Sequence, residues 1–406
     1  MNSSPLIISN VKLVLPDRVV PGNVLVKKGI IAGVDESAGT GAFPPAWKDE
    51  NAGLIDGEGL YLSPGFIDIH NHGRLGCDVM DRKAASMKTI ARHQAEHGVT
   101  GFLAGTSSVP WEENLYVLRF LADYCKAEAE TEMSEAAFAG GARCLGIYSE
   151  GNFFSTEKRG AHNSKYLKSA LTGDDLDTFL DAAGKALKVA ALSPELPGAE
   201  EWIRLITGKG IAVAAAHTNA AYAEAMAGIN AGITLATHTF NAMRSLSHQE
   251  PGILGAVLND DRVYCEFIAD GIHLAPAILS LAYKLKGPDK IILISDSVLA
   301  NGLPDGHYEY ERRTVIIKEG AVRLEDGRLA GSTLSLNRAV RNMVRLAGVS
   351  LCHAVRAASL NPARVLGLDG RKGSIEEGKD ADLLLCNENV DIKNVFIGGC
   401  PFSPAV

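Results

Sequence analysis

Apolar and polar positions divide this chain into two textures. Through the first sixty residues, short β-type runs (Leu6–Ile8, Val11–Leu15, Val24–Val26, Ile30–Ala32) alternate with turn pairs such as Pro21-Gly22 and Lys28-Gly29. Ala381–Leu385 and Val395–Gly399 repeat that texture near the other end. The pattern predicts one small β-sandwich domain formed by both chain ends, residues 1–62 plus 366–406.

Between residues 63 and 365 the rhythm changes. Eight apolar, β-rich runs alternate with longer Ala-, Leu-, Glu- and Lys-containing stretches of helical period. The runs are Gly65–His70, Gly98–Gly105, Arg143–Ser149, Lys188–Leu192, Ile211–Ala216, Ile233–Thr237, Val263–Ala269 and Lys290–Ser295. Helices are expected over Lys83–His97, Trp111–Glu130, Asp174–Ala183, Ala199–Thr207 and Ala220–Ala231, with late helical segments over Leu329–Val344 and Ser350–Leu366. The order is that of an α/β protein with a (β/α)8 TIM-type barrel. A doubly wound sheet is disfavoured, because no strand is followed by a glycine fingerprint at dinucleotide-binding spacing.

Composition narrows the partners. The chain has 406 residues, 42 of them glycine, and a formal net charge of -8 with basic residues scattered along it. That balance argues against nucleic acid, and no apolar stretch reaches the length of a membrane span. Met1–Pro5 carries no basic region of the kind a signal peptide needs. Seven widely spaced cysteines, without a C-x-x-C pair, suit free thiols in a reducing compartment. A cytoplasmic protein is expected.

The chemistry lies in what ends the apolar runs. The first ends in His70-Asn71-His72, the third in Ser149-Glu150, the fifth in His217, the sixth in His238 and the eighth in Asp296. In a (β/α)8 barrel these ends converge on one mouth. His70 and His72, two apart on a strand, point to the same side. One histidine at a strand end is ordinarily a hydrogen-bonded rim residue; four, with a glutamate and an aspartate, point to a metal site. Imidazole and carboxylate donors suit Zn²⁺, Fe²⁺ and similar divalent ions. Asp296 is placed to carry a proton from attacking water to a leaving amine.

Through these residues the chain resembles the N-acetylglucosamine-6-phosphate deacetylase family of the amidohydrolase superfamily. The matching segments include Pro64–Gly73, Ser149–Gly151, Lys158–Asn163, Ala216–Ala220, Thr237–Met243, Ala269–His273, Ile294–Asp296, Leu329–Leu334 and Gly378–Leu383. The resemblance implies Glu150, His217 and His238 as principal metal ligands. His70 and His72 would add a second ion sharing Glu150, giving one or two ions per subunit. It implies Asp296 as general base and acid, and His162 as a group polarising the acyl carbonyl. Ala161, Asn241, Ala242, His273, Leu329, Ala330 and Gly331 would contact the amino-sugar substrate. A homodimer, each subunit lending part of the other's site, also follows from the resemblance.

One position departs from the family. Its phosphate-binding arginine is replaced by Gln249, within Gln249-Glu250-Pro251-Gly252, and glutamine cannot offer a bidentate cationic fork. His248 and Gln249 are assigned to the same pocket. Two substrate classes therefore stay open: an N-acetyl amino-sugar 6-phosphate, and an unphosphorylated or epimeric N-acyl amino sugar. A cyclic amidase using Lys158 or Lys165 is disfavoured by Glu150, and a silent scaffold by the filled ligand positions.

Overall fold

The computed structural model describes residues 4–36, 43–49, 51–131, 140–310 and 313–402. Met1–Ser3, which open the segment read for a leader, lie outside the described residues. Eight parallel strands form one sheet in strict chain order: Phe66–Asn71, Val99–Gly105, Arg143–Ser149, Leu187–Leu192, Ala212–Ala215, Ile233–Ala236, Tyr264–Phe267 and Ile291–Leu293. Each falls within one of the eight predicted runs or within a residue of it. The first strand is buried at every position and the second likewise, as a parallel sheet covered on both faces requires. The ring closes where its ends meet: Asp296 N donates to His70 O at 2.8 Å, and Asn71 bridges Ser297.

Amphipathic helices form the outer layer. In Leu336–Ala347 the buried positions Leu336, Ala339, Val340 and Met343 follow the helical period, and Gly348 ends the helix with a left-handed φ of 70°. Thr172 caps Gly173–Ala183 by accepting from Asp175 N at 3.2 Å. Among the described residues no helix is long and apolar enough to cross a membrane.

Both chain ends enter one further eight-stranded sheet. Leu383–Cys386 runs antiparallel to Tyr61–Pro64, which joins the C-terminal strands to the N-terminal ones. Ile8, Leu13, Val24 and Ile31 share a core with Leu62, Leu383 and Phe396, while Leu384, Val395 and Ile397 pack into the barrel's own core.

Two sequence expectations fail here. Leu329–Val344 is not a continuous helix: Leu329–Ser332 is a strand, and the helix begins at Leu336. That strand closes a four-stranded antiparallel meander with Gly306–Tyr310, Arg313–Lys318 and Ala321–Leu324. Ser332 N donates to Asp296 O at 2.8 Å, which holds the meander against the mouth of the barrel. Ser350–Leu366 is likewise two helices, Leu351–Ala358 and Leu360–Val365. They are separated at Ser359, whose side chain donates to Val355 O at 2.7 Å.

Candidate metal centre and active site

His70 lies within the first barrel strand, and the other residues that carry the site stand just beyond strand ends or in the loops. Glu150 follows the third strand directly, His217 and His238 stand two residues beyond the fifth and sixth, and Asp296 three beyond the eighth. His217, His238 and Asp296 all have left-handed backbones, with φ of 44°, 27° and 46°. Non-glycine residues are costly there, and such strain collects at functional sites. The turn it produces redirects each side chain from the strand direction into the mouth.

Glu150 is the hub. Its Oε2 lies 3.3 Å from His70 Nε2 and 3.2 Å from His72 Nε2. Its Oε1 lies 3.2 Å from both His217 Nε2 and His238 Nε2. One carboxylate thus stands between two histidine pairs. Asp296 Oδ1 is 3.3 Å from His72 Nε2, and His162 Nε2 is 3.2 Å from His217 Nε2. Two compact donor groups result, His70–His72–Asp296 and Glu150–His162–His217. The second includes His162, while His238 Nε2 reaches it from 3.1 Å off His217 Nε2.

The outward ring nitrogens decide what the inward ones can do. His70 Nδ1 is 3.1 Å from Glu266, His72 Nδ1 is 3.2 Å from Gly105 O, and His217 Nδ1 is 3.1 Å from Lys158 O. These partners only accept, so each neutral ring carries its proton on Nδ1 and turns the Nε2 lone pair inward. Three lone pairs and a carboxylate then face one another without a donor. A buried array of acceptors of this kind fits a divalent cation, one or two per chain.

Burial opposes charge on His70 and His72, yet Glu150 and Glu266 raise His70 well above the usual range, and Asp296 and Glu150 raise His72 to about 10. Burial also opposes ionisation of Glu150 and Asp296, but neighbouring histidines hold both carboxyls down. His162 is driven well below its ordinary value by burial and by His217. It is neutral at neutral pH.

These groups open into a cavity of about 260 Å³. His72, Glu150, His162, His217, His238 and Asp296 line its floor; Ala161, Asn241, Ala242, His273, Leu329, Ala330 and Gly331 line its walls. His70 lies just behind the floor, fully buried. His248 and Gln249 are not brought there: both are exposed on the loop beyond Met243 and do not line the cavity. Glu266, Tyr310 and Arg328 are among the residues at the site that the sequence does not single out. Glu266 backs His70 from inside a strand, and Tyr310 and Arg328 line the cavity from the meander.

Residues 61–400 match the Amidohydrolase family model. The chain belongs to the amidohydrolase family. It is 37% identical to the N-acetylgalactosamine-6-phosphate deacetylase of Escherichia coli O157:H7, covering 83% of this chain and 86% of that one. It is 34% identical to the N-acetylglucosamine-6-phosphate deacetylase of Vibrio furnissii, covering 94% and 92%. Among solved structures, the N-acetylglucosamine-6-phosphate deacetylase of Thermotoga maritima superposes with a TM-score of 0.84 at 32% identity, covering 97% and 99%. A mutant of the Mycobacterium smegmatis enzyme in complex with N-acetyl-D-glucosamine-6-phosphate superposes with a TM-score of 0.87 at 27% identity, covering 98% and 99%. The family expected from the resemblance and the barrel expected from the eight apolar runs are met.

Proposed function

We propose that this chain is a metal-dependent deacetylase that hydrolyses the N-acetyl group of an amino-sugar 6-phosphate, of the N-acetylglucosamine-6-phosphate type, to the free amine and acetate. The observation that carries this reading is the Glu150 carboxylate set between two histidine pairs, with Asp296 beside it on the floor of an open cavity. Glu150, His217, His238, His70 and His72 would hold the metal. Zn²⁺ is our assignment, and Fe²⁺ suits the same nitrogen and oxygen donors. A bound divalent cation would lower the pKa of water and polarise the acyl carbonyl.

The remaining chemistry belongs to the chain. Asp296, on the cavity floor with Oδ1 3.3 Å from His72 Nε2, accepts the proton of the attacking water and returns it to the leaving amine. His162 is neutral, so its ring keeps one N–H to offer the acyl oxygen. His162 Nδ1 is buried and has no partner among the described residues. Asn241, Ala242, His273 and Leu329–Gly331 surround the space left for the sugar.

The C4 epimer is a second reading, because the relative at 37% identity is the galactosamine-type enzyme. The unphosphorylated sugar is kept open by Gln249. A cytoplasmic homodimer belongs to the same proposal. All seven cysteines are free thiols, and His248 and Gln249 stand exposed, where residues lent to a second copy would stand. The test is acetate release from a panel of N-acetylglucosamine and N-acetylgalactosamine, each with and without 6-phosphate. Release from none of the four contradicts the proposal.

A further inference from the structure

The proposed substrate carries a phosphate dianion, while Gln249 is uncharged and lies outside this chain's cavity. Arg244 does not replace it: its guanidinium donates to Asn219 O, and it does not line the cavity. Among the described lining residues, Arg328 is the one arginine or lysine.

Its position is specific. Arg328 Nη1 donates to Gly160 O at 2.5 Å. Gly160, in a left-handed turn with φ of 56°, packs directly on the His217 ring and on Ala242; a Cβ there would meet them at 3.0 and 3.5 Å. Gly160 is therefore the partition between the metal-side histidines and the outer wall, and Arg328 stands on its outer side. An amino sugar whose acetyl group reaches the floor leaves its opposite end against that wall.

The guanidinium is already ordered for an anion. Its Nε and Nη2 both donate to Asp326 Oδ2, at 2.9 and 2.6 Å. That ion pair is solvent-exposed on both sides, 44% and 52%. Pairs of this kind hold weakly, so a phosphate dianion can compete for the same donors. Lys158, Arg159 and Arg328 line the adjoining groove with Glu157 and Asp326, which leaves one net positive charge along the same rim.

We infer that Arg328 is the phosphate anchor of this site and sets its preference for a phosphorylated amino sugar, supplying from the meander the charge that Gln249 lacks. The inference rests on the deacetylase reading above. The experiment compares metal-loaded wild type with Arg328→Gln and Arg328→Lys, using an N-acetylhexosamine with and without 6-phosphate. Binding of the corresponding hexosamine 6-phosphate is measured by calorimetry in parallel. Arg328→Gln is expected to raise KM for the phosphorylated substrate about 10- to 100-fold, and to weaken hexosamine 6-phosphate binding by a similar factor. The preference over the plain sugar falls with it, and Arg328→Lys restores part of the loss. A wild-type enzyme indifferent to the phosphate, or a preference undiminished in Arg328→Gln, overturns the inference. Hexosamine 6-phosphate binding that depends on Arg328 without any acetate release overturns the deacetylase reading and leaves the anchor standing.

Discussion

Glu266 Oε2 lies 3.1 Å from His70 Nδ1, and neither side chain reaches solvent. Glu266 also accepts from His238 N at 3.2 Å and stands 3.4 Å from the Tyr148 hydroxyl, while its Oε1 has no partner among the described residues. A buried carboxylate so thinly served needs positive charge nearby. Here it is delivered through the His70 ring, whose Nδ1 proton Glu266 accepts and whose Nε2 it thereby aims at the site. Replacing Glu266 by Gln keeps the shape and removes the charge. Metal retention against a competing chelator, measured as ions per chain, is expected to weaken about 10- to 100-fold. Unchanged retention would show that Glu266 has no part in holding His70 for the ion.

Asp296→Asn removes the proton carrier while keeping the side chain's size. At saturating metal, kcat should fall about 100- to 10,000-fold, with KM changed far less. Retained turnover at saturating metal would assign the proton transfer to another group.

Gly331 has a left-handed φ of 65°, and a Cβ there would stand 2.3 Å from Val298 Cγ1 and 3.0 Å from Asp296 O. Neither atom can retreat easily, since Val298 is buried and Asp296 O accepts from Ser332 N. Gly331→Ala should destabilise the protein by about 1–3 kcal/mol. It should also lower turnover by disturbing the wall beside Asp296. Differential scanning calorimetry and acetate release together check this: an unchanged Tm and unchanged kcat would refute it.

His93 gives a pH dependence outside the metal site. Burial, helped by His97 and Arg74, lowers it to about 3 from an ordinary 6.5. The folded chain keeps it neutral while the unfolded chain protonates it below 6.5. Its contribution to stability is thus present above pH 6.5 and is lost as pH falls from 6.5 towards about 3. Urea midpoints measured across that range should fall with acidification, and His93→Asn should flatten the slope by up to about one proton. Parallel slopes for both proteins would exclude His93 as the cause.

The barrel and the candidate metal cluster are legible because both follow a simple rule. Strands buried on two faces read as unbroken apolar runs, and a polar residue at the end of such a run is conspicuous, as at His70, Glu150 and Asp296. Glu266 went unread because it lies inside Tyr264–Phe267, not at its end. A carboxylate within a buried apolar strand was itself the available signal. The meander was hidden for another reason. Its strand Gly306–Tyr310 buries only Tyr310, and Leu329–Ser332 is too short to show a period before the amphipathic helix from Leu336 takes over. Arg328, following Asp326 and Gly327, reads as a solvated turn; only tertiary packing brings it over Gly160. His248 and Gln249 are implied only by their place in a motif, and the fold leaves them exposed.

The most direct measurement is acetate released from an N-acetylhexosamine 6-phosphate by the purified protein, before chelation, after chelation, and after a divalent ion is returned. The account predicts release that is lost with the metal and restored by Zn²⁺ or Fe²⁺. Release that survives complete metal removal, or no release with metal bound at His70, His72, Glu150, His217 and His238, would contradict it.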